Sequence, residues 1–314
     1  DTAEEIMIQE ENGVIRLKRD DSNQKFRTVT STATVGGSTR SVRIKYPSLS
    51  TIFENTIASG GDLLIEGRKS SLIINDKLRL GGKVVNNSAY PLTLFEDVRE
   101  GVQEGLASIT YPDANKNGVA DEFSDFIAFN RNLVQAYPED EVVYIQGDDT
   151  YTITPDSSLE GTKIIYIEGS KEGKGNAIVQ FSGALAKDQK LTVIATGTVT
   201  HNQAGNAPKG SQLNIIAWTD YFETTALPSV QNGMIYTHGK AYFDELHDTS
   251  VTNGSIVANE GVVVREIWST KTFNYADMRQ NGVVPAGFEG LVGGGVSGYT
   301  RRPSEWMEVW GEAI

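Results

Sequence analysis

From about Ala58 onward, short aliphatic runs recur along the chain, each ending in a glycine or a small polar residue. Leu63-Leu64-Ile65-Glu66-Gly67 is followed by Leu72-Ile73-Ile74 and Leu78-Arg79-Leu80-Gly81. Later come Val142-Val143-Tyr144-Ile145-Gln146-Gly147, Ile164-Ile165-Tyr166-Ile167-Glu168-Gly169 and Leu191-Thr192-Val193-Ile194-Ala195-Thr196-Gly197. Leu213-Asn214-Ile215-Ile216-Ala217, Met234-Ile235-Tyr236-Thr237-His238-Gly239 and Ser255-Ile256-Val257-Ala258-Asn259-Glu260-Gly261 continue the series. Ile145 to Ile167 is 22 residues, Ile215 to Ile235 is 20 and Ile235 to Ile256 is 21. A repeat of that length, built of short strands and turns, predicts a solenoid. One coil cannot bury its own apolar stripe, whereas stacked coils make a continuous column of Ile, Val and Leu. The expected fold is therefore mainly all-β: a right-handed parallel β-helix. A β-sandwich, whose single strands recur every 8–12 residues, is the competing fold.

The first residues follow another rhythm. Ile6-Met7-Ile8 and Val14-Ile15-Arg16-Leu17 flank Asn12-Gly13, a strong hairpin turn signal. Thr28 to Val35 alternates apolar and hydroxyl residues, turns at Gly36-Gly37 and returns through Ser41 to Tyr46. Such alternation fits an antiparallel sheet with one wet face. Residues from about 88 to 140 interrupt the repeat and hold the one strong helix signal. Between Asp121 and Tyr137, the side chains of Phe123, Phe126, Ile127, Phe129, Leu133, Val134 and Tyr137 lie largely along one helical face. The predicted organisation is a hairpin region over 1–57, a solenoid over 58–275 with a loop-and-helix insertion at about 88–140, and a capping tail over 276–314.

That insertion also carries the clearest chemistry. In Asp113-Ala114-Asn115-Lys116-Asn117-Gly118-Val119-Ala120-Asp121, oxygen-bearing side chains recur at alternate positions and a glycine sits sixth. This spacing suits calcium: Asp113, Asn115 and Asn117 point inward, Gly118 takes the sharp turn, Val119 offers its carbonyl, and Asp121 closes directly or through water. The twelfth position is Ser124 where a bidentate Glu belongs; Asp125 or Glu122 takes its place. The other reading of the segment is an Asn/Gly-rich surface turn. A bound ion here staples a loop and does no chemistry.

Composition narrows the function. The chain has 314 residues, no cysteine and a formal charge of −13, which argues against a nucleic-acid surface as the main partner and excludes thiolate sites. Paired carboxylates of a polysaccharide lyase or hydrolase have candidates in Asp148-Asp149, Asp220 and Arg265-Glu266, but none forms a recognisable constellation. His201, His238 and His247 lack metal-ligand spacing. No catalytic residue is assigned. Trp218, Tyr221, Tyr236 and Tyr242 cluster in consecutive repeats and offer a ligand surface for sugar rings, or else fill the core.

Several phrases occur in a familiar order: Thr32-Ala33-Thr34-Val35-Gly36-Gly37, Ile57-Ala58-Ser59-Gly60-Gly61-Asp62-Leu63, Asn253-Gly254-Ser255-Ile256-Val257-Ala258, then Phe273-Asn274-Tyr275, Pro285-Ala286-Gly287-Phe288 and Trp306. The sequence resembles the soluble part of PilX-type pilus-assembly proteins, large minor pilins of type IV pili in Gram-negative bacteria. The resemblance implies a β-rich head carried by an N-terminal hydrophobic helix that this sequence does not include. It also implies an extracellular, pilus-associated location and other pilus subunits as partners. A calcium-stabilised, non-catalytic surface protein, with a surface glycan as a possible ligand, is the expected function. The alternatives are a calcium-dependent polysaccharide lyase or hydrolase, and a filament subunit joined through its N-terminal hairpin strands.

Overall fold

The computed structural model describes residues 5–10, 13–20, 26–35, 38–47, 51–67, 71–89, 92–94, 97–101, 115, 123–180, 185–206, 210–278, 284–288, 291 and 305–309. The chain divides into two compact units, one of residues 1–50 with 292–314, the other of Thr51–Leu291. The second is thus inserted into the first. In the smaller unit, Glu5–Glu10, Gly13–Asp20, Phe26–Val35 and Ser38–Pro47 form a meander of antiparallel strands, and Glu305–Val309 pairs antiparallel with Ser38–Pro47 as the fifth strand. The two predicted hairpins are present. The expected capping tail over 276–314 is not one element: its last described strand belongs to the hairpin sheet, while Pro285 to Phe288 packs on the solenoid.

The larger unit is a parallel β-solenoid of about eight turns. Each coil contributes to three walls. Wall A stacks Val142–Gln146, Ile164–Glu168, Lys190–Ala195, Gln212–Ala217, the ends of Tyr221–Thr237 and Ser250–Ala258, then Ile57–Ser59, Leu78–Leu80 and Val98–Arg99. Wall B runs from Thr150–Ile153 to Gly261–Arg265 and on through Leu63–Glu66 and Val84–Asn86. Wall C includes Lys271–Tyr275, Leu72–Ile74 and Leu92–Leu94.

The spatial order of coils is not the order of the chain. The solenoid begins inside its own stack, at Ile57, three strands from one end of wall A, and climbs to that end at Arg99. The chain then crosses to the opposite end, re-enters at Val142 and winds back until the coil of Ser250–Ala258 and Lys271–Tyr275 lies against the coil of Ile57 and Leu72. This seam joins strands with no chain continuity. Physically it is as well made as any other coil boundary: Ile256 pairs with Ile57, Val263 with Leu64 and Thr272 with Ile73, all in register.

Register holds because like stacks on like. Val143, Ile165, Val193, Ile215, Ile235, Ile256, Ile57, Leu78 and Val98 form one unbroken inward column along wall A. A second column is polar. Asn75 Nδ2 donates to Asn274 Oδ1 (2.6 Å), Asn274 Nδ2 to Asn253 Oδ1 (2.9 Å) and Asn253 Nδ2 to Asn232 Oδ1 (2.9 Å). This amide ladder crosses the seam, and a one-residue slip would break every rung. At the corner between walls A and B, glycines let coils approach. A Cβ on Gly60 would lie 1.9 Å from the carbonyl oxygen of Asn259, and one on Gly81 2.2 Å from that of Gly60.

In its middle coils, from Ile164–Glu168 to Ile57–Ser59, wall A is buried on both faces. Its inward side chains meet the aliphatic core. Its outward ones, among them Tyr166, Ile194, Ile216 and Met234, are also buried. The helix α1 (Phe123–Gln135) accounts for part of that cover, with Phe126, Phe129, Leu133 and Val134 buried. Phe126 lies 5.1 Å from Trp218, centroid to centroid. The segment at Ala286 and Gly287 covers another part: Thr192 Oγ1 donates to the Ala286 carbonyl (2.6 Å), and Gly287, with φ +89°, lies over Thr192, Ile194 and Ile216. A strand buried on both faces reads as a continuous apolar run, which explains Ile164-Ile165-Tyr166-Ile167.

Candidate functional site

Of the predicted calcium ligands, Asp113, Asn117, Val119 and Asp121 lie outside the described residues. Asn115 and Asp125 are described, and the structure brings them together. Asp125 is fully buried in the first turn of α1, and its Oδ1 accepts the backbone N–H of Asn115 at 3.1 Å. Asn115 Nδ2 donates to Ser124 Oγ at 2.7 Å. A buried carboxylate at the helix N-terminus thus holds this part of the Asx-rich loop onto the helix; negative charge there also suits the helix dipole. Among the described residues, no group of three or more His, Cys, Asp or Glu side chains is placed to hold a metal ion.

The expected ligand surface is dispersed by the fold. Trp218 is buried under α1, stacked on His238 with centroids 4.0 Å apart, and its Nε1 donates to Glu172 Oε1 (3.0 Å). Tyr221 points into the solenoid interior and is fully buried. Tyr236 is buried on the outer side of wall A, where its hydroxyl accepts from Asn259 Nδ2 (3.3 Å). Only Tyr242 keeps some exposure, on wall B, and its ring faces are already taken: Phe222 stacks on one at 4.5 Å, and the Arg265 guanidinium sits 5.6 Å from its centroid. These four aromatics are packing residues, placed by the alternation of inward and outward positions along each strand.

The carboxylates weighed for catalysis hold the coils. Asp148 Oδ1 accepts the Ser170 backbone N–H (2.6 Å) and Oδ2 the Ser170 hydroxyl (2.8 Å), which together hold its carboxyl below the usual range. One corner further, Asn176 Oδ1 accepts the Thr198 N–H (2.8 Å); Asp220 and Asp62 do the same for Lys240 and Lys83 (2.8 Å each). A side-chain oxygen at this corner therefore caps the next coil four times over. Arg265 Nε pairs with Asp244 Oδ2 at 2.6 Å.

Two polar clusters escape the sequence reading. On the outside of wall A, Glu168 is almost fully buried and is gripped by the guanidinium of Arg131 on α1, while Tyr144 donates its hydroxyl to Oε2 (2.7 Å). Burial pushes the Glu168 carboxyl up, yet these hydrogen bonds outweigh it and leave it below the usual range. Tyr144 also stacks on Tyr166 at 5.3 Å. This cluster fastens the helix to the second coil.

The other cluster lies in the solenoid interior. Lys271 and Glu223 are both wholly buried and their charged ends are in direct contact. Lys271 Nζ also donates to Thr252 Oγ1 (2.8 Å), and the rings of Phe243 and Phe273 flank it, with centroids at 5.3 and 5.0 Å. Tyr221 donates its hydroxyl to Glu223 Oε2 (3.1 Å), and His201 Nδ1 lies 3.2 Å from the Tyr221 oxygen. Burial lowers the Lys271 amine, lowers His201 to about 4 and raises the Tyr221 phenol well above its ordinary value. A signal for this cluster exists in the residues. In Lys271-Thr272-Phe273 and Tyr221-Phe222-Glu223, the charged residue shares parity with an inward aromatic.

No family model matches the sequence, and no curated protein matches it. Among solved structures, the chain is similar to the crystal structure of the competence-associated pilin ComZ from Thermus thermophilus, at 10% sequence identity and a TM-score of 0.33, over 98% of this chain and 86% of that one.

Proposed function

We propose that this chain is a non-catalytic, extracellular structural protein in which a rigid solenoid is carried as a single inserted module, in the manner of a pilus-associated head. One observation carries the reading. The solenoid is entered after Ser50 and left at Leu291, and within it the two connecting stretches meet: the rings of Phe53 and Phe288 pack edge to face at 5.6 Å. Strands from both sides of the insertion complete one antiparallel sheet. A module whose entry and exit meet in this way is a self-contained body, which suits display at a surface. The engagement of Asp148, Asp220 and Asp62 with backbone amides favours structure over polysaccharide chemistry for those carboxylates. Pilus subunits are the proposed partners, as the resemblance to PilX-type proteins implies.

Calcium belongs to the same proposal. Asp113, Asn115, Asn117, Val119 and Asp121 would hold it, with Asp125 as support, and the ion would order the crossing segment that links the two ends of the solenoid. It supplies charge neutralisation and nothing catalytic.

Filaments sheared from the surface of producing cells should carry the full chain. Recovery solely as free protein in the medium, with turnover of a uronic-acid polymer, would replace this reading with the enzymatic one. For the ion, Asp113→Ala with Asp121→Ala should lower the melting temperature in calcium and leave it unchanged in chelator. Equal melting of parent and variant under both conditions would remove calcium from the account.

A further inference from the structure

We propose that the Lys271 amine and the Glu223 carboxyl condense to an intramolecular amide, cross-linking two coils through the interior of the solenoid. The proposal stands on the interior geometry and is independent of the functional reading above.

Four features converge. First, Lys271 Nζ and Glu223 Oε1 are held in contact by the stacking of three coils, and a pair locked in that way reacts with an effective concentration far above anything in solution. Second, both groups are completely buried, beside the rings of Phe243 and Phe273 and the aliphatic core. Third, burial favours the uncharged amine, which is the nucleophile. Fourth, the oxygen that must leave already has a donor. Tyr221 places its O–H on Glu223 Oε2, and His201 Nδ1 backs the Tyr221 oxygen. Tyr221 is thus the catalytic residue and His201 a positioning one.

The balance is simple. Nζ attacks the Glu223 carboxyl carbon, a C–N bond forms, and the bond from that carbon to Oε2 breaks. From ammonium and carboxylate, two protons pass from Nζ to Oε2, relayed by the Tyr221 hydroxyl that donates to it, and that oxygen leaves with them as a molecule of water. The third hydrogen stays on the amide nitrogen. Nothing is oxidised and no co-reactant is needed. The product removes two charges from an apolar interior, where an ion pair carries a heavy desolvation cost. It also closes a covalent loop between positions 48 residues apart, on the side of the solenoid that meets the seam.

Intact mass of the unmodified chain under denaturing conditions tests this directly. The expected result is a species lighter than its sequence by one water, with a fragment joining the peptides of Glu223 and Lys271 and no tryptic cut after Lys271. Tyr221→Phe, which keeps the ring, should lower the cross-linked fraction. The Glu223→Gln/Lys271→Met double variant should show its full sequence mass. Folded, aged wild-type protein at its full sequence mass, cut normally at Lys271, would overturn the proposal and leave an ion pair only.

Discussion

Replacing Lys271 with alanine is expected to cost about 3–5 kcal/mol of folding free energy relative to parent chains whose Lys271 and Glu223 have not condensed, the penalty for removing the charged partner of a buried carboxylate. The side chain lies at an inward position of wall C, between Ser250 and Leu72 in its column, and reaches past Thr252 to Glu223. Without it the carboxylate loses its charged partner, while the Tyr221 hydroxyl still donates to Oε2. The damage comes from a buried acid that has lost its cation, so Lys271→Met combined with Glu223→Leu should regain most of the loss. Denaturant midpoints of the three proteins check this. An alanine variant as stable as the parent would mean that Glu223 has another route to neutrality.

His201 gives the molecule an acid-sensitive interior. Its ring is wholly buried, and burial lowers its pKa from 6.5 to about 4. The folded state therefore keeps it neutral while the unfolded chain takes up a proton below pH 6.5. Folding stability is unaffected by this group above that value. It falls as the pH drops from 6.5 towards 4, and levels off below. A tenfold difference in proton affinity between the two states is worth about 1.4 kcal/mol, so roughly 2 kcal/mol should be lost between pH 7 and pH 5. Other charged groups face the same network: Glu223 and Lys271 oppose one another across it, with opposite effects on the imidazole. His201→Asn, whose amide can still donate to Tyr221, should start less stable but show a flatter profile over that interval. A variant that loses as much as the parent would place the acid sensitivity elsewhere.

How much of this is legible in the residues alone varies by element. The solenoid is legible because the interval between its isoleucines counts whole coils. Ile215, Ile235 and Ile256 share one inward column of wall A, and Ile145 and Ile167 share the next. The helix at Phe123–Gln135 is legible from its apolar face. The order of coils is not. A period near 20 residues is the same whether a coil stacks on its sequence neighbour or on one two hundred residues away. The break from about 88 to 140 marks the place where the chain leaves one end of the stack for the other, but it reads equally as a simple excursion.

The aromatic residues mislead for a related reason. Trp218 and Tyr236 look like surface candidates because a strand in an open sheet has a wet outer side. Wall A has none there: α1 lies over Trp218, and Tyr236 is buried with it. The corner carboxylates at Asp148 and Asp220 read as possible acids because a backbone N–H from the next coil is invisible in sequence. Four of the six calcium positions fall outside the described residues, so the loop stands on its spacing and on the Asn115–Asp125 contact.

The seam fixes the coil order and places the coil of Lys271 beside that of Leu72. The chain contains no cysteine, so a single engineered pair reports on it cleanly. Leu64 and Val263 are register partners on the outer side of wall B, both partly exposed. Neighbouring strands lie about 4.8 Å apart, within the Cα separation of roughly 4.4–6.8 Å that a disulfide spans. Folded Leu64→Cys/Val263→Cys protein should close that bond under mild oxidation, giving one peptide pair that joins the two positions. Two free thiols in the folded protein after oxidation would contradict it.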